Sequence, residues 1–479
     1  MTRRDVVCPS TLLLTLLGVA IGLPARADFP EAFKAYSDGH YEQAHAEFLQ
    51  LAQLGHAASQ YDLGAMALQG QGGPKDLGAA VGWLTAAADN GDTQLSPEKL
   101  AAVRATLNDE QRKAADEIEA RYGRAGLMQT VLPVPPPGSH CRNLVPASVS
   151  RKTTPDANYY PSTGRRGDQN GFVILQLTIG VDGVPRDPEI LMSVPSPDFS
   201  AAAIDVWMPS RWTPAERDGV AVESKVAVKV VFNMIGGGVL WDLPALKAIR
   251  ETALTGNPTA EYQIGLAATL DPSLGIPARQ AYSLLVSAAQ AGHPRAQYWV
   301  ATRFMSVGAC GVDRKKIPWL RAAASAGNGP AQVALALDLL SGQPSAEQIT
   351  EARQLLEEAA RSDDPYAMKH VAAVLAASPL EALRDPSTAR SVAERLVKSS
   401  IESDPQMYEA AALAYAVSGD FWDARAKEQR AIKKAQQLEW DTRQMQERLA
   451  LYSRSKAWSG DLFASPPVQI APPAAAAQH

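Results

Sequence analysis

One phrase returns along this chain at an almost constant interval. "AEYQIG" starts at Ala260, "AQYWVA" at Ala296, "AQVALA" at Ala331 and "AMKHVA" at Ala367, at steps of 36, 35 and 36 residues. Each unit closes on a second echo, Ala288-Ala289-Gln290-Ala291-Gly292, then Ala323-Ala324-Ser325-Ala326-Gly327, then Ala359-Ala360-Arg361-Ser362-Asp363. Both phrases also occur early, as "SQYDLG" (Ser59 to Gly64) and "AAADNG" (Ala86 to Gly91). Such a period implies stacked helix–turn–helix units, because one helix pair cannot bury its apolar side without a neighbour. The alanines let antiparallel helices approach, residues such as Tyr262, Tyr298, Trp83 and Leu284 fill between them, and the glycine stops the second helix. Trp299, Trp319 and Trp422 are expected in the same repeat cores.

The repeats are interrupted. Pro133, Pro135, Pro136 and Pro137 favour an extended path that no helix continues, and mark a boundary. "GFVILQLTIGVDGVPRDPEILMS" (Gly171 to Ser193) then alternates like a strand, with Val173, Leu175, Leu177 and Ile179 on one face and Ile174, Gln176 and Thr178 on the other, the pattern of a half-buried strand. Asp182-Gly183 predicts a two-residue hairpin turn, with the second strand near 189–194. Ser196, Pro197 and Asp198 suit a helix start, and Phe199, Ala203, Val206 and Trp207 form its apolar stripe. A last strand over 223–233 puts Val226, Val228, Val230 and Phe232 on one face and Lys225, Ala227 and Lys229 on the other. The fold class expected is therefore mostly α, an α-solenoid of helix–turn–helix repeats with an inserted small α+β (ββαβ) domain.

Arg3 and Arg4, an apolar run from Thr11 to Leu23 and the small-residue ending Ala25-Arg26-Ala27 predict a secretory signal cleaved before Asp28. The run is shorter than the ~20 residues a membrane span needs. Cleavage removes three arginines and one aspartate, moving the formal charge from −5 to −7, so the whole chain carries no electrostatic pull toward nucleic acid or anionic lipid. Two cysteines remain. An oxidising compartment permits Cys141 and Cys310 to pair, but their placement carries no disulfide framework, and two separate thiols is the simpler reading.

The stretch "YDLGAMALQGQGGPKDLGAAVGWLTAAADNGD" (Tyr61 to Asp92) resembles the Sel-one-like repeat family, relatives of tetratricopeptide repeats. "AAALAYAVSGDFWDARAKEQRAIKKA" (Ala410 to Ala435) looks more like a tetratricopeptide unit, and "QMQERLALYSRSKAW" after it like a terminal capping helix. Tyr160-Pro161, "GFVILQLTIGVDG", "FSAAAIDVW" (Phe199 to Trp207), "RWTPAERDG" (Arg211 to Gly219) and the closing strand through Phe232, in that order, resemble the C-terminal domain of the TonB energy-transducer family. That resemblance implies a periplasmic module that binds outer-membrane receptors by accepting an extended peptide as an added strand. By this analogy the contact surface is Tyr159, Tyr160, Arg165 and Arg166 with Lys225, Ala227, Lys229 and Val231 of the closing strand. Lys225 and Lys229 read equally as edge guards against such pairing. The chain departs from a transducer in its short apolar run, its short proline stretch and the repeats that follow the domain, so strand-type binding is expected and force transmission is not.

Catalytic constellations are poor. Gly70, Gly72 and Gly73 lack the Lys-Ser/Thr of a phosphate loop and read as an inter-helix turn. His56 and His293 each follow a closing glycine and read as helix-end residues, not metal ligands. Ser453-Arg454-Ser455-Lys456 fits a Ser-x-x-Lys pattern without a hydrolase domain around it. The organisation expected is signal 1–27, repeats 28–129, proline-rich linker 130–150, TonB-like domain 151–236, repeats 237–460 and a disordered tail 461–479. The function expected is a non-enzymatic periplasmic scaffold for protein partners, outer-membrane receptors or envelope assembly proteins, with no cofactor, metal or nucleic acid and with membrane contact only through partners. The repeats' concave surfaces would hold one partner and the sheet edge another. A TonB-type transducer partner in nutrient uptake is the first alternative, a cell-envelope enzyme the second.

Overall fold

The computed structural model describes residues 28–132, 144–151, 170–232, 244–306, 315–399 and 402–463. The expected signal, most of the proline stretch, Cys141, Cys310 and nearly all of the expected tail lie outside these residues. The N-terminal block is helical: α1 (Phe29–Ser37), α2 (Tyr41–Gln53), α3 (Ala57–Gln69), α4 (Leu77–Asp89), α5 (Pro97–Arg104), α6 (Asp109–Tyr122) and α7 (Arg124–Thr130). The inserted domain contains β1 (Leu144–Val145), β2 (Ser148–Arg151), β3 (Gly171–Ile179), β4 (Pro185–Val194), α8 (Phe199–Trp207), β5 (Arg211–Thr213), β6 (Ala215–Arg217), β7 (Val220–Val222) and β8 (Ser224–Phe232). The second block runs α9 (Pro244–Ala253), α10 (Pro258–Leu270), α11 (Ala278–Gln290), α12 (Pro294–Ser306), α13 (Lys316–Ser325), α14 (Gly329–Leu339), α15 (Ala346–Ala359), α16 (Pro365–Ala377), α17 (Pro386–Leu396), α18 (Pro405–Val417), α19 (Phe421–Gln437) and α20 (Arg443–Ser453).

The repeated phrases have local causes. The residue ahead of each first helix caps it: the side chains of His56, Asn257, His293, Asn328, Asp364 and Asp404 each accept a backbone N–H from the first turn. His56 and His293 are thus helix-end residues, as expected. Burial pushes the His56 imidazole down to about 4, which keeps it neutral and able to accept. The recurring glutamine reaches back to the preceding helix: Gln60, Gln297 and Gln332 donate to the carbonyls of Ala52, Ala289 and Ala324. The two blocks also join. Trp319 Nε1 donates to the Val131 carbonyl at 3.0 Å, Lys315 Nζ to that of Met128 at 2.8 Å, and Gln290 Nε2 to those of Leu54 and Gly55. Trp83, Trp299 and Trp319 are buried as expected, but Trp422 is 72% exposed, because the start of α19 turns it outward.

The main sheet has the order β4-β3-β8, all antiparallel. Its hairpin differs from the expected two-residue turn. The connection spans 180–184, where the Asp182 carboxylate accepts the Val184 N–H at 3.1 Å and pairs with Arg186 at 2.6 Å. β4 accordingly starts at Pro185 rather than near Glu189. The following helix also begins later than expected, at Phe199, since Ser196 Oγ accepts from Asp198 two residues on instead of capping.

The larger correction concerns the sheet's faces. Val173, Leu175, Leu177 and Ile179 pack on α8, against Phe199, Ala203, Val206 and Trp207. Phe172 and Ile174, with Met192 and Val194 of β4, join a second core with Tyr262, Leu266, Tyr298 and Trp299 of the repeats. Both faces are buried and β3 is not half-buried. The near-continuous apolar run Gly171 to Leu177 is the composition such a strand requires.

Candidate strand-docking site

A three-stranded open sheet has two edges, and here they differ. β4 holds Pro185 and Pro188, and its register against β3 shifts twice, once around Leu191 and once around Asp187-Pro188. Proline removes ladder donors, and each irregularity turns backbone groups out of the ladder. The first helices of the repeats take up those groups. The Leu191 carbonyl accepts from Tyr262 OH and from Arg295 Nη1, both at 3.2 Å. The Asp187 N–H donates to Gln406 Oε1 at 3.1 Å.

Asp187 anchors this edge. Its φ of 54° is left-handed, a conformation an aspartate tolerates better than most residues. The carboxylate lies 2.7 Å from Lys369 Nζ and 3.0 Å from His370 Nε2, and Lys369 also pairs with Asp404 at 2.6 Å. Burial alone would raise the Asp187 carboxyl, but the Lys369 charge and the contact with His370 hold it well below the usual carboxylate range. One step along β4, Glu189 accepts from Tyr298 OH and Gln176 Nε2, both at 3.3 Å. Burial raises its carboxyl to about 7, against the lowering effect of Lys225. Tyr262, Tyr298 and Lys369 occupy the same place in three of the four units, Val333 holding it in the unit between the last two, and they meet Leu191, Glu189 and Asp187 in turn. This face of the second block is filled by the chain's own inserted domain, which corrects the expectation that it receives a partner.

β8 is the opposite case. It pairs with β3 without a register shift from Ser224↔Ile179 to Phe232↔Gly171, contains no proline, and carries no strand on its outer side among the described residues. A trough of about 450 Å³ runs along it from Val226 to Val231, between Trp207, Trp212 and Val149 on one side and Leu270 on the other. Ser210 fixes the tryptophan wall: its Oγ donates to the Trp207 carbonyl and accepts from Trp212 Nε1 at 2.9 Å.

Four residues expected at the contact surface, Tyr159, Tyr160, Arg165 and Arg166, lie outside the described residues. The other four are on β8. Lys225 Nζ donates to Tyr366 OH at 3.2 Å, Lys229 pairs with Asp271, and Ala227 and Val231 pack against the core shared with the repeats. Both lysine side chains thus have partners in the repeats. What β8 presents is its backbone and the trough. Trp212, Val149 and Leu270 were not singled out from sequence, because the first two come from short strands and the last from a repeat helix; only the Asp-Pro pair inside β4 signalled an irregular strand.

The order of strands and helix, with one sealed and one open edge, can be set beside known proteins. Residues 156–234 match the family model of the Gram-negative bacterial TonB protein C-terminal. The TonB match therefore covers β3 to β8 and α8, and ends two residues past the open strand. Over most of the chain two solved structures are similar. A protective antigen present in uropathogenic Escherichia coli strains, displaying an SLR fold, shares 15% identity at a TM-score of 0.33, covering 89% of this chain and 83% of its own. A Sel1 repeat protein from Oxalobacter formigenes shares 15% identity at a TM-score of 0.29, covering 87% and 88%. No curated protein matches. No described helix is long and apolar enough to cross a membrane, and no described group of His, Cys, Asp or Glu is placed to hold a metal.

Proposed function

We propose that this protein is a periplasmic interaction scaffold whose TonB-like domain docks an extended segment of a partner along β8. The observation that carries the reading is the asymmetry of the sheet: β8 has unbroken register, no proline and an apolar trough, while β4 is bulged and held by the repeats. A strand added at an open edge gains main-chain hydrogen bonds, and its alternate side chains enter flanking pockets. The partner is a protein of the outer membrane or of envelope assembly, reached after export and cleavage before Asp28. Asp28 suits a new N-terminus, since its side chain caps α1 by accepting the Glu31 N–H at 2.9 Å.

In-cell photo-crosslinking tests this from Val149 and Leu270, on the two sides of the trough, with exposed Trp422 as control. Crosslinks from the trough alone, mapping to one extended segment of a partner, are expected. An equal yield from position 422, or none from the trough, overturns the reading. Mass spectrometry of the mature N-terminus checks the compartment. A retained N-terminus would point instead to the transducer role.

A further inference from the structure

The two repeat blocks touch without closing completely. A cleft of about 710 Å³ lies between α2, α6 and α7 of the first block and α13 of the second. It shares no lining residue with the trough along β8. It is also on different helices from those that hold the inserted domain: α2 and α13 are second helices of their units, ending just before Gly55 and Gly327, whereas Tyr262, Tyr298 and Lys369 come from first helices. The floor of the cleft is apolar, with Leu54, Leu127 and Val131 from one block and Ile317 from the other.

The walls are polar and of one sign. Gln50 and Gln53, one turn apart on α2, line the cleft with side-chain amides that have no protein partner among the described residues, and the Ser325 hydroxyl is in the same state. Both charged residues in the lining are arginines, one from each block, in a chain whose formal charge is −5. Arg121 lies over the Tyr122 ring, 5.5 Å from its centroid, and has no carboxylate partner among the described residues. Arg321, on the facing wall, is half-exposed and gives one nitrogen to Glu351 of α15.

These features restrict the occupant. An acyl chain would suit the floor but would strip water from the two amides and the hydroxyl and give them nothing to bond. A peptide offers N–H and C=O groups to glutamine amides, which both donate and accept. Carboxylates on that peptide would meet planar guanidiniums whose forked donors match them. We propose that the cleft is a second docking site, taken by a short acidic stretch of a partner protein. Its aspartate or glutamate side chains lie between Arg121 and Arg321, its aliphatic side chains on Leu127, Val131 and Ile317, and its backbone against Gln50 and Gln53. Such a segment touches both blocks and fastens them together. The site does not depend on docking at β8.

The test selects short random synthetic peptides on the immobilised full mature chain and repeats the selection on Arg121→Gln/Arg321→Gln. Enrichment of peptides that combine Asp or Glu with Leu, Ile or Val, lost on the double variant, is expected. Fluorescence anisotropy with a labelled copy of the most enriched peptide should then show binding weakened roughly tenfold for each arginine removed, the scale of one hydrogen bond between charged partners, and weakened further by added salt. Lys99→Gln/Lys113→Gln makes the same change of charge on α5 and α6 outside the cleft and should leave binding as it was. A photo-crosslinker at position 53 should mark the bound peptide. Selections that return the same peptides from both proteins, or no acidic ones, overturn the proposal. So does equal weakening by the lysine variant, or binding of lauric acid that needs the same two arginines. Arg121→Gln alone, at an exposed position, decides the matter where the double variant does not fold.

Discussion

Asp187 of the inserted sheet and Lys369 of the repeats meet at 2.7 Å, with the lysine fully buried. Two charges from parts of the chain far apart in sequence thus share one interior, together with Asp404 and His370. Removing Asp187 takes the acceptor from His370 Nε2 and leaves Lys369 with Asp404 alone to balance it in the interior. Asp187→Ala is expected to lower unfolding stability by about 3 kcal/mol, as for other broken buried pairs. Urea denaturation measures it, and a loss below about 1 kcal/mol, within the range of exposed pairs, would mean the contact is not holding the domain in place.

Glu189 adds a dependence on pH. Burial raises its carboxyl to about 7, so the folded chain keeps a proton there that the unfolded chain releases near the ordinary glutamate value. Its contribution is present in full at low pH, falls as pH rises from about 4.5 to about 7, and then levels off, a loss of roughly 3 kcal/mol. Glu189→Gln stays neutral throughout and should remove that slope. The difference between the two proteins' denaturation midpoints across this window is the measurement, and parallel curves would contradict it.

Close helix contact in the N-terminal block depends on glycine. A Cβ at Gly78 of α4 would stand 2.6 Å from the Gln111 carbonyl oxygen and 2.9 Å from its Cα, both backbone atoms that cannot swing aside. Gly78→Ala is expected to cost about 1–3 kcal/mol by forcing α4 off α6. Thermal unfolding gives the value, and hydrogen exchange should place the loosening within residues 77–122.

The repeated caps offer a graded test. Asn257→Ala and Asn328→Ala each remove one acceptor from a first helical turn, at 3.0 and 2.9 Å, and should cost about 1 kcal/mol apiece. Asp364→Ala should cost more, because that carboxylate accepts from both Tyr366 and Ala367. Equal losses at all three sites, read from denaturation midpoints, would show that the second bond adds nothing.

The repeats were legible because their cause is local: alanine spacing, a capping residue and a closing glycine recur at fixed offsets. The hairpin was legible for the same reason, as alternation is written within a few residues. What escaped was set by distant parts of the chain. Alternation along β3 suggested one wet face, but Phe172 and Ile174 meet Tyr262 and Tyr298, residues some ninety or more positions away. Lys225 and Lys229 looked like exposed charges, yet their partners Tyr366 and Asp271 belong to helical units with no local link to the strand. Trp422 was misread in the opposite sense, because an aromatic at a helix start carries no mark of which way it faces.

The sealed strand also limits how copies of this protein can gather. An endless stack through sheets needs two open edges on every molecule, one to receive and one to offer. With β4 closed by its prolines, its irregular register and the repeats, the main sheet has a single such edge among the described residues. Two copies meeting through β8 would satisfy each other and leave nothing for a third, so growth by this route stops at a pair.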